Sequence, residues 1–318
     1  MNPVVESAKF VAEQSKFVSI NRTKLAEYAK IYSYAGTPYW LNASPFDFSA
    51  LDAEERLNVL SVFNAVSFCY WGEPKWTVEY RGKKHDGAFG MLLALQRAAD
   101  EGKPITDFSY CAHLTTKELQ GLLRANTEIP LLDERLQNLR ELGEAMEKKF
   151  GGKASVLVGS AKGDAIKLLK TIAQEIPSFN DVSTYDGKAI AFHKRAQLFT
   201  WDTFELFKGH DFGAFSNIRE LSACADYKLP QMLRKKKILE YSKELAQKVD
   251  SLTPIPAGSR EEVEIRANTI WAIELLEDAI QRKDADITAG EINNRLWMES
   301  QTKQPNDKPY HRTRTTAY

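Results

Sequence analysis

Apolar side chains in this chain recur mostly at spacings of three and four, and that period commits most of it to helices that bury one face. Leu57, Leu60, Val62, Phe63 and Val66 form one broad stripe, with Ser49 and Asp52 ahead of it as N-cap residues. Leu136, Leu139, Leu142, Met146 and Phe150 form another, which Gly151 and Gly152 bring to a left-handed stop. Thr115 and Glu118 have the spacing of a capping box for a helix running to Arg124. Further helices are expected over 163–175, 189–207, 231–248, 259–283 and 288–300. One segment breaks the period. Trp76, Val78 and Tyr80 alternate with Thr77 and Glu79, and Arg81-Gly82 turns the chain into Lys83-Lys84-His85, a β-hairpin. The expected fold is mainly α with a small β-hairpin insert, one helical domain over 1–318, with 1–150 and 151–318 as its possible subdivision.

Several function classes fall away on charge and motif. The 43 basic and 43 acidic side chains cancel, so the chain lacks the basic excess that binding long nucleic acid demands. Cys69, Cys111 and Cys224 have no C-x-x-C spacing, which argues against a disulfide framework and a cysteine zinc site and points to a reducing, cytoplasmic setting. The first residues have neither a basic n-region nor an apolar h-region, and no apolar run approaches the ~20 residues of a membrane span. No P-loop, G-x-G-x-x-G turn or G-x-S-x-G elbow is present, and the five histidines lack metal-ligand spacing. The expectation is a monomer that acts on a small molecule and needs no metal and no cofactor.

The stretch from His193 to Leu233 gathers the groups that handle such a ligand, and reads as helix, turn, helix. Lys194-Arg195 at a helix start would bind a phosphate or carboxylate, with a solvated basic pair as the plain alternative. Asp202 lies about two helical turns beyond Arg195 and would point into the same cavity, or serve as an internal acid satisfied by backbone donors. Asp226, ahead of Tyr227 and Pro230, is either the N-cap of a helix or a carboxylate aimed at a developing cation. The aromatic residues Phe68, Tyr70, Trp71, Trp76 and Tyr80 suit a planar heterocycle held by stacking, and equally suit a core. Residues 309–318 are basic and would either fold back over a pocket or dangle freely, as tails usually do.

Five ordered motifs carry a resemblance: Leu95 to Thr106, Lys194-Arg195-Ala196-Gln197, Ala225-Asp226-Tyr227-Lys228-Leu229-Pro230-Gln231, Glu262 to Ala267, and Tyr310 to Thr315. Over almost its whole length the chain resembles the queuosine salvage protein family, N-glycosylases that release queuine from queuosine 5′-monophosphate. The resemblance implies a helical fold similar to helix-hairpin-helix DNA glycosylases, with Asp226 in the place of the catalytic aspartate; Asp202, from its spacing, is the second catalytic candidate. The resemblance also implies a substrate pocket formed by Cys224, Ala225, Tyr227, Lys194, Phe68, Trp71, Tyr80, Asn293 and Trp297. The chain departs from the family pattern at Cys224, which stands for Phe, Lys228 for Arg, Asn64 and Ser67 for Asp and Asn, and Met298 for Asp. No histidine precedes His85, where the family has one in the pocket. These departures cluster at base recognition, and leave a glycosylase for another modified 7-deazapurine nucleoside or nucleotide, or a nucleobase-binding protein without turnover, as alternative readings. A role in DNA repair, which the implied fold would also permit, sits poorly with a net charge of zero.

Overall fold

The helices begin where side chains can satisfy the free amide groups of a first turn. A computed structural model describes residues 2–33, 36–281 and 286–318. In it, Asp52 Oδ1 accepts the Glu55 N–H at 2.8 Å while Glu55 Oε2 accepts the Asp52 N–H at 2.9 Å, a reciprocal cap that starts the Ala53–Val66 helix. Ser49 lies instead in the short turn Phe48–Ala50, capped by Asp47. The Thr115–Glu118 box starts Thr116–Leu122, which ends just short of Arg124. Leu132–Phe150 stops on Gly151 at φ 59° and buries its apolar stripe against Ala53–Val66 and Phe108–His113. Gly143 faces the backbone of Phe108 and Ala112 so closely that a Cβ would not fit.

The fold is mainly α, as expected, but the expected single hairpin is one of three antiparallel strand pairs among the described residues. Thr77–Tyr80 pairs with Lys83–Asp86 through Arg81-Gly82, both at positive φ. The helix expected over 189–207 divides: Lys188–Ala191 pairs with Val182–Tyr185 across Asp186-Gly187, and the helix Lys194–Leu206 begins only after His193 turns left-handed at φ 44°. An Asp-Gly turn between short strands is a strong hairpin signal, and it outweighs the apolar run at 189–192 that reads as helix. The range 231–248 divides as well. Lys228–Lys235 ends before Lys237 at φ 58°, Leu239–Tyr241 is a strand, and Lys243–Asp250 restarts on Ser242 as N-cap. Arg260–Gln281 and Ala289–Glu299 match the last two ranges, although residues 282 and 283 lie outside the described residues. The helix-turn-helix reading of 193–233 keeps both helices, joined by a long connection through the short turns Asp211–Gly213 and Ile218–Glu220.

Both ends of the sequence are tied to distant segments. The helix Pro3–Ala12 packs on Arg260–Gln281, and Val18–Ile20 pairs antiparallel with Leu239–Tyr241. Residues 310–318 do not dangle but take the other course open to them and fold back as a strap threaded through the interior. Trp71 Nε1 donates to the Thr313 carbonyl at 3.2 Å, Cys69 N–H to the Tyr318 carbonyl at 2.8 Å, and the Tyr318 hydroxyl to Glu262 Oε1 at 2.9 Å. His311 and Tyr318 are both buried. The reason is local: two aromatic rings and a histidine in nine residues offer more buried area and more internal partners than a solvated tail would. No helix among the described residues is long and apolar enough to cross a membrane.

Candidate active site

Asp181 sets the start of the Lys194–Leu206 helix. Its carbonyl accepts the N–H groups of Phe192 and His193, and its Oδ2 accepts the Lys194 N–H at 3.2 Å. Arg266 grips both carboxylate oxygens, at 2.9 and 2.5 Å. Burial would raise the Asp181 carboxyl, but the Arg266 guanidinium outweighs it and holds the pKa below the ordinary value. Lys194 is thereby fixed by its backbone while its ammonium makes no hydrogen bond among the described residues and faces a cavity.

Lys194 and Arg195 do not act as a pair. Arg195 points the other way and donates to the carbonyls of Asn64 (3.0 Å), Ala65 (2.9 Å) and Ser178. Arg135 donates to the carbonyls of Val66, Phe68 (2.6 Å) and Cys69 (3.1 Å). Two buried guanidinium groups thus take up the carbonyls that the Ala53–Val66 helix and the following turn leave unpaired. Both also lie over the ring of Phe68, at 4.2 Å for Arg135 and 5.4 Å for Arg195. This clamp presents Phe68, Tyr70 and Trp71 to the cavity.

Asp226 combines the two roles that its sequence position offered. Oδ1 accepts the N–H of Lys228 at 2.7 Å and of Leu229 at 3.0 Å and so caps Lys228–Lys235. Oδ2 accepts no hydrogen bond among the described residues, and the carboxylate lines the cavity with 9% of the residue exposed. Burial raises its pKa; the Lys194 ammonium and the two amides oppose that shift. Lys194 is the counterpart: burial lowers its pKa, and Asp226, Cys224 and Asp202 pull it back.

The cavity has a volume of about 530 Å³. Its buried end is apolar and amide-lined, with Trp40, Phe63, Leu198, Cys224, Asn293, Asn294 and Trp297. Cys224 donates its N–H to Asn293 Oδ1 at 2.9 Å, and burial pushes its thiol up to about 12, so the side chain is an uncharged wall. Trp297 meets Trp40 edge-on at 5.7 Å. The outer end is cationic and more exposed, with Lys75, Lys228, Lys303 and Arg312 beside Tyr227 and Tyr310. Lys75 pairs with Asp86 at 2.5 Å and Arg312 with Glu73 at 2.9 Å, whereas Lys228 and Lys303 have no ion pair among the described residues. Asp226 and Lys194 complete the wall.

The structure therefore brings Asp226, Lys194, Cys224, Tyr227, Phe68, Trp71, Asn293 and Trp297 together, and leaves three expected residues off the wall. Tyr80 sits at the hairpin tip, where its hydroxyl donates to Asp100 at 2.7 Å. Ala225 faces the opposite way, into the cluster of Val263, Ala267 and Ile270, because neighbouring residues of an extended segment alternate. Asp202 is fully buried behind the wall. It accepts from the Tyr39 hydroxyl (2.9 Å), Trp40 Nε1 (2.8 Å) and Asn64 Nδ2 (3.4 Å), and burial lifts its carboxyl to about 7. Residues missed from sequence include Trp40, Asn294, Lys75, Lys303 and Arg312. Only Arg312 carried a signal, inside the Tyr310 to Thr315 motif. Trp40 and the lysines stand in short segments with no period or motif.

A sequence model of a family described as queuosine salvage protein matches residues 48–318. A protein of Sphaerobacter thermophilus named queuosine 5′-phosphate N-glycosylase/hydrolase is 39% identical over 318 residues, covering 99% of this chain and 97% of its own. Proteins of the same name from Bos taurus and Mus musculus are 34% and 31% identical, each over 98% of both chains.

Proposed function

We infer, from the premise that this chain belongs to the queuosine salvage protein family, that it is a hydrolase that cuts the N-glycosidic bond of queuosine 5′-monophosphate and releases queuine for salvage. The observation that carries the site assignment is Asp226 Oδ2, a carboxylate oxygen without a hydrogen-bond partner among the described residues, on the wall of a cavity with one apolar end and one cationic end. In this reading the base lies at the Trp40–Trp297 end, the 5′-phosphate meets Lys228 and Lys303, and the ribose spans Asp226.

The chemistry follows from what leaves. Queuine is a 7-deazaguanine, with carbon where a purine has N7, so protonation at that position gives no help to the leaving group. The sugar must carry more of the developing charge. Ionised Asp226 beside C1′ stabilises the oxocarbenium-like transition state, in the manner of the carboxylates of glycoside hydrolases. The C1′–N9 electron pair leaves with the base, water supplies hydroxide to C1′, and its remaining proton reaches the base nitrogen. Burial discourages the charged form of Asp226, and the Lys194 ammonium opposes that effect. Because Oδ1 is held by two amides, the carboxylate needs little reorganisation as charge develops.

Asp226→Asn tests this reading. The variant keeps an oxygen to cap Lys228 and Leu229 and loses the charge, so kcat is expected to fall by about a thousandfold, ~4 kcal/mol in barrier, with binding of free queuine retained. Undiminished turnover would remove Asp226 from the mechanism, and binding without turnover in the unmodified protein would leave a nucleobase carrier. A panel of 7-deazapurine nucleosides and nucleotides reports base and phosphate preference. We further take the protein to act as a monomer in the cytoplasm without long nucleic acid, with its three cysteines free and buried. Light scattering checks the oligomeric state, and duplex-binding titrations check the nucleic-acid reading.

A further inference from the structure

Within the reading given above, we propose that Asp202, which does not touch the cavity, is a positioning residue that fixes base affinity by locking the indole of Trp40. Trp40 belongs to a short helix, Trp40–Ala43, flanked on both sides by extended residues. Four residues cannot hold a helix by their own hydrogen bonds, so the wall depends on anchors from elsewhere. Trp40 has one at each end. Its backbone N–H donates to Asn294 Oδ1 at 3.0 Å, and its indole N–H donates to Asp202 Oδ1 at 2.8 Å. The same carboxylate oxygen accepts the hydroxyl of the preceding residue, Tyr39, at 2.9 Å. One acid on a long helix thus sets the angle of two consecutive aromatic residues. With its Nε1 tied, the Trp40 ring is fixed against Phe63 at 5.4 Å and Trp297 at 5.7 Å, and one part of it faces the cavity.

The chemistry at this position is otherwise hard to explain. Asp202 is fully buried, and among the described residues no cation lies within salt-bridge distance and its hydrogen-bond partners are the neutral donors Tyr39, Trp40 and Asn64. An acid under those conditions is costly, and a packed apolar residue of the same size would fill the space. What the apolar residue lacks is an acceptor for both Tyr39 and Trp40. Asp202 is therefore kept for the orientation of those rings, and the orientation matters at the base end alone, because Lys228 and Lys303 are carried by other segments.

The test separates the two ends of the cavity. Equilibrium titrations with free queuine and with ribose 5-phosphate are run on unmodified protein, Asp202→Leu, Asp202→Asn, Trp40→Phe, and Trp40→Phe combined with Asp202→Leu, together with kcat and KM for the nucleotide. Asp202→Leu is expected to weaken queuine at least tenfold and to raise KM, with kcat nearly unchanged and ribose 5-phosphate bound as before. Asp202→Asn regains most of the queuine affinity, since an amide oxygen still accepts the indole N–H. In the Trp40→Phe background Asp202→Leu adds little, because the ring it orients no longer has a donor. Equal weakening of queuine and ribose 5-phosphate, or full additivity with Trp40→Phe, overturns the assignment; so does unchanged queuine affinity. If Asp202→Leu does not fold, Asp202→Asn and Trp40→Phe still decide it, since a Trp40→Phe protein with unaltered queuine affinity leaves nothing for Asp202 to position. Unmodified protein that binds queuine without hydrolysing the nucleotide breaks the hydrolase reading and not this one.

Discussion

Asp226 commits Oδ1 to two backbone amides and leaves Oδ2 to the cavity, so a single residue anchors a helix and faces the ligand. The charges around it make two predictions. Among the described residues Lys303 and Lys228 are the cations without ion pairs at the outer end, and both line the cavity where the proposed phosphate would enter. Lys303→Ala is expected to raise KM for the 5′-monophosphate about fivefold, roughly 1 kcal/mol, and to leave the unphosphorylated nucleoside unaffected; equal effects on both would move the phosphate elsewhere. Asp202 makes the second. Its folded pKa is about 7 against an ordinary 3.8, so between those values the folded protein holds a proton that the unfolded chain has released. The contribution of Asp202 is full below about pH 4 and is lost as pH rises through about 7, a swing of ~4 kcal/mol. Asp202→Asn removes that titration. Its melting temperature should fall less between pH 5 and pH 8 than that of the unmodified protein, and parallel curves would mean that Asp202 is ionised throughout.

Among the elements, those with a cap and a stripe were legible. Ala53–Val66, Leu132–Phe150 and Ala289–Glu299 each pair a start or stop signal with apolar residues three and four apart. What escaped was short or distant. Val18–Ile20 and Leu239–Tyr241 are three residues each, too few for any period to register, and they exist only because the chain brings them together. The site shows the same division. Lys194 and Asp226 lie in motifs, whereas Trp40 reaches the cavity because Asp202 and Asn294 hold it there. The helix Ala289–Glu299, which carries Asn293, Asn294 and Trp297, gives a prediction at this scale. It approaches the Lys194–Leu206 helix through Gly290, where an added Cβ would lie 2.4–2.6 Å from atoms of the Trp201 ring, well inside van der Waals contact. Gly290→Ala is expected to cost about 1–3 kcal/mol through overpacking, despite the better helix propensity of Ala. The melting temperature should drop by several degrees and KM should rise, because a helix that shifts to relieve the clash carries the pocket residues with it. A variant at least as stable as the original would show that Trp201 gives way instead.

The molecule as a whole places its site at the meeting of segments from every part of the sequence: residue 40 from one end, 63–75 next, 194 and 226 in the middle, 293–312 at the other end. A division at residue 150 would part the strand Val18–Ile20 from Leu239–Tyr241 and the helix Pro3–Ala12 from Arg260–Gln281. It would also leave Arg195 without the carbonyls of Asn64 and Ala65. Each break exposes a buried apolar face or leaves a buried polar group unpaired, and the losses fall on both fragments. We therefore propose that the chain is one folding unit. Urea unfolding followed by tryptophan fluorescence and by far-UV circular dichroism should give coincident single transitions, since Trp40, Trp71 and Trp76 lie in one half and Trp201, Trp271 and Trp297 in the other. Fragments 1–150 and 151–318, made separately, should show little tertiary structure and no activity. Co-expression should restore part of both, as the long-range pairs can re-form between chains. Two separated transitions, or a fragment that unfolds cooperatively alone, would mark a domain boundary that the pairing of distant segments argues against.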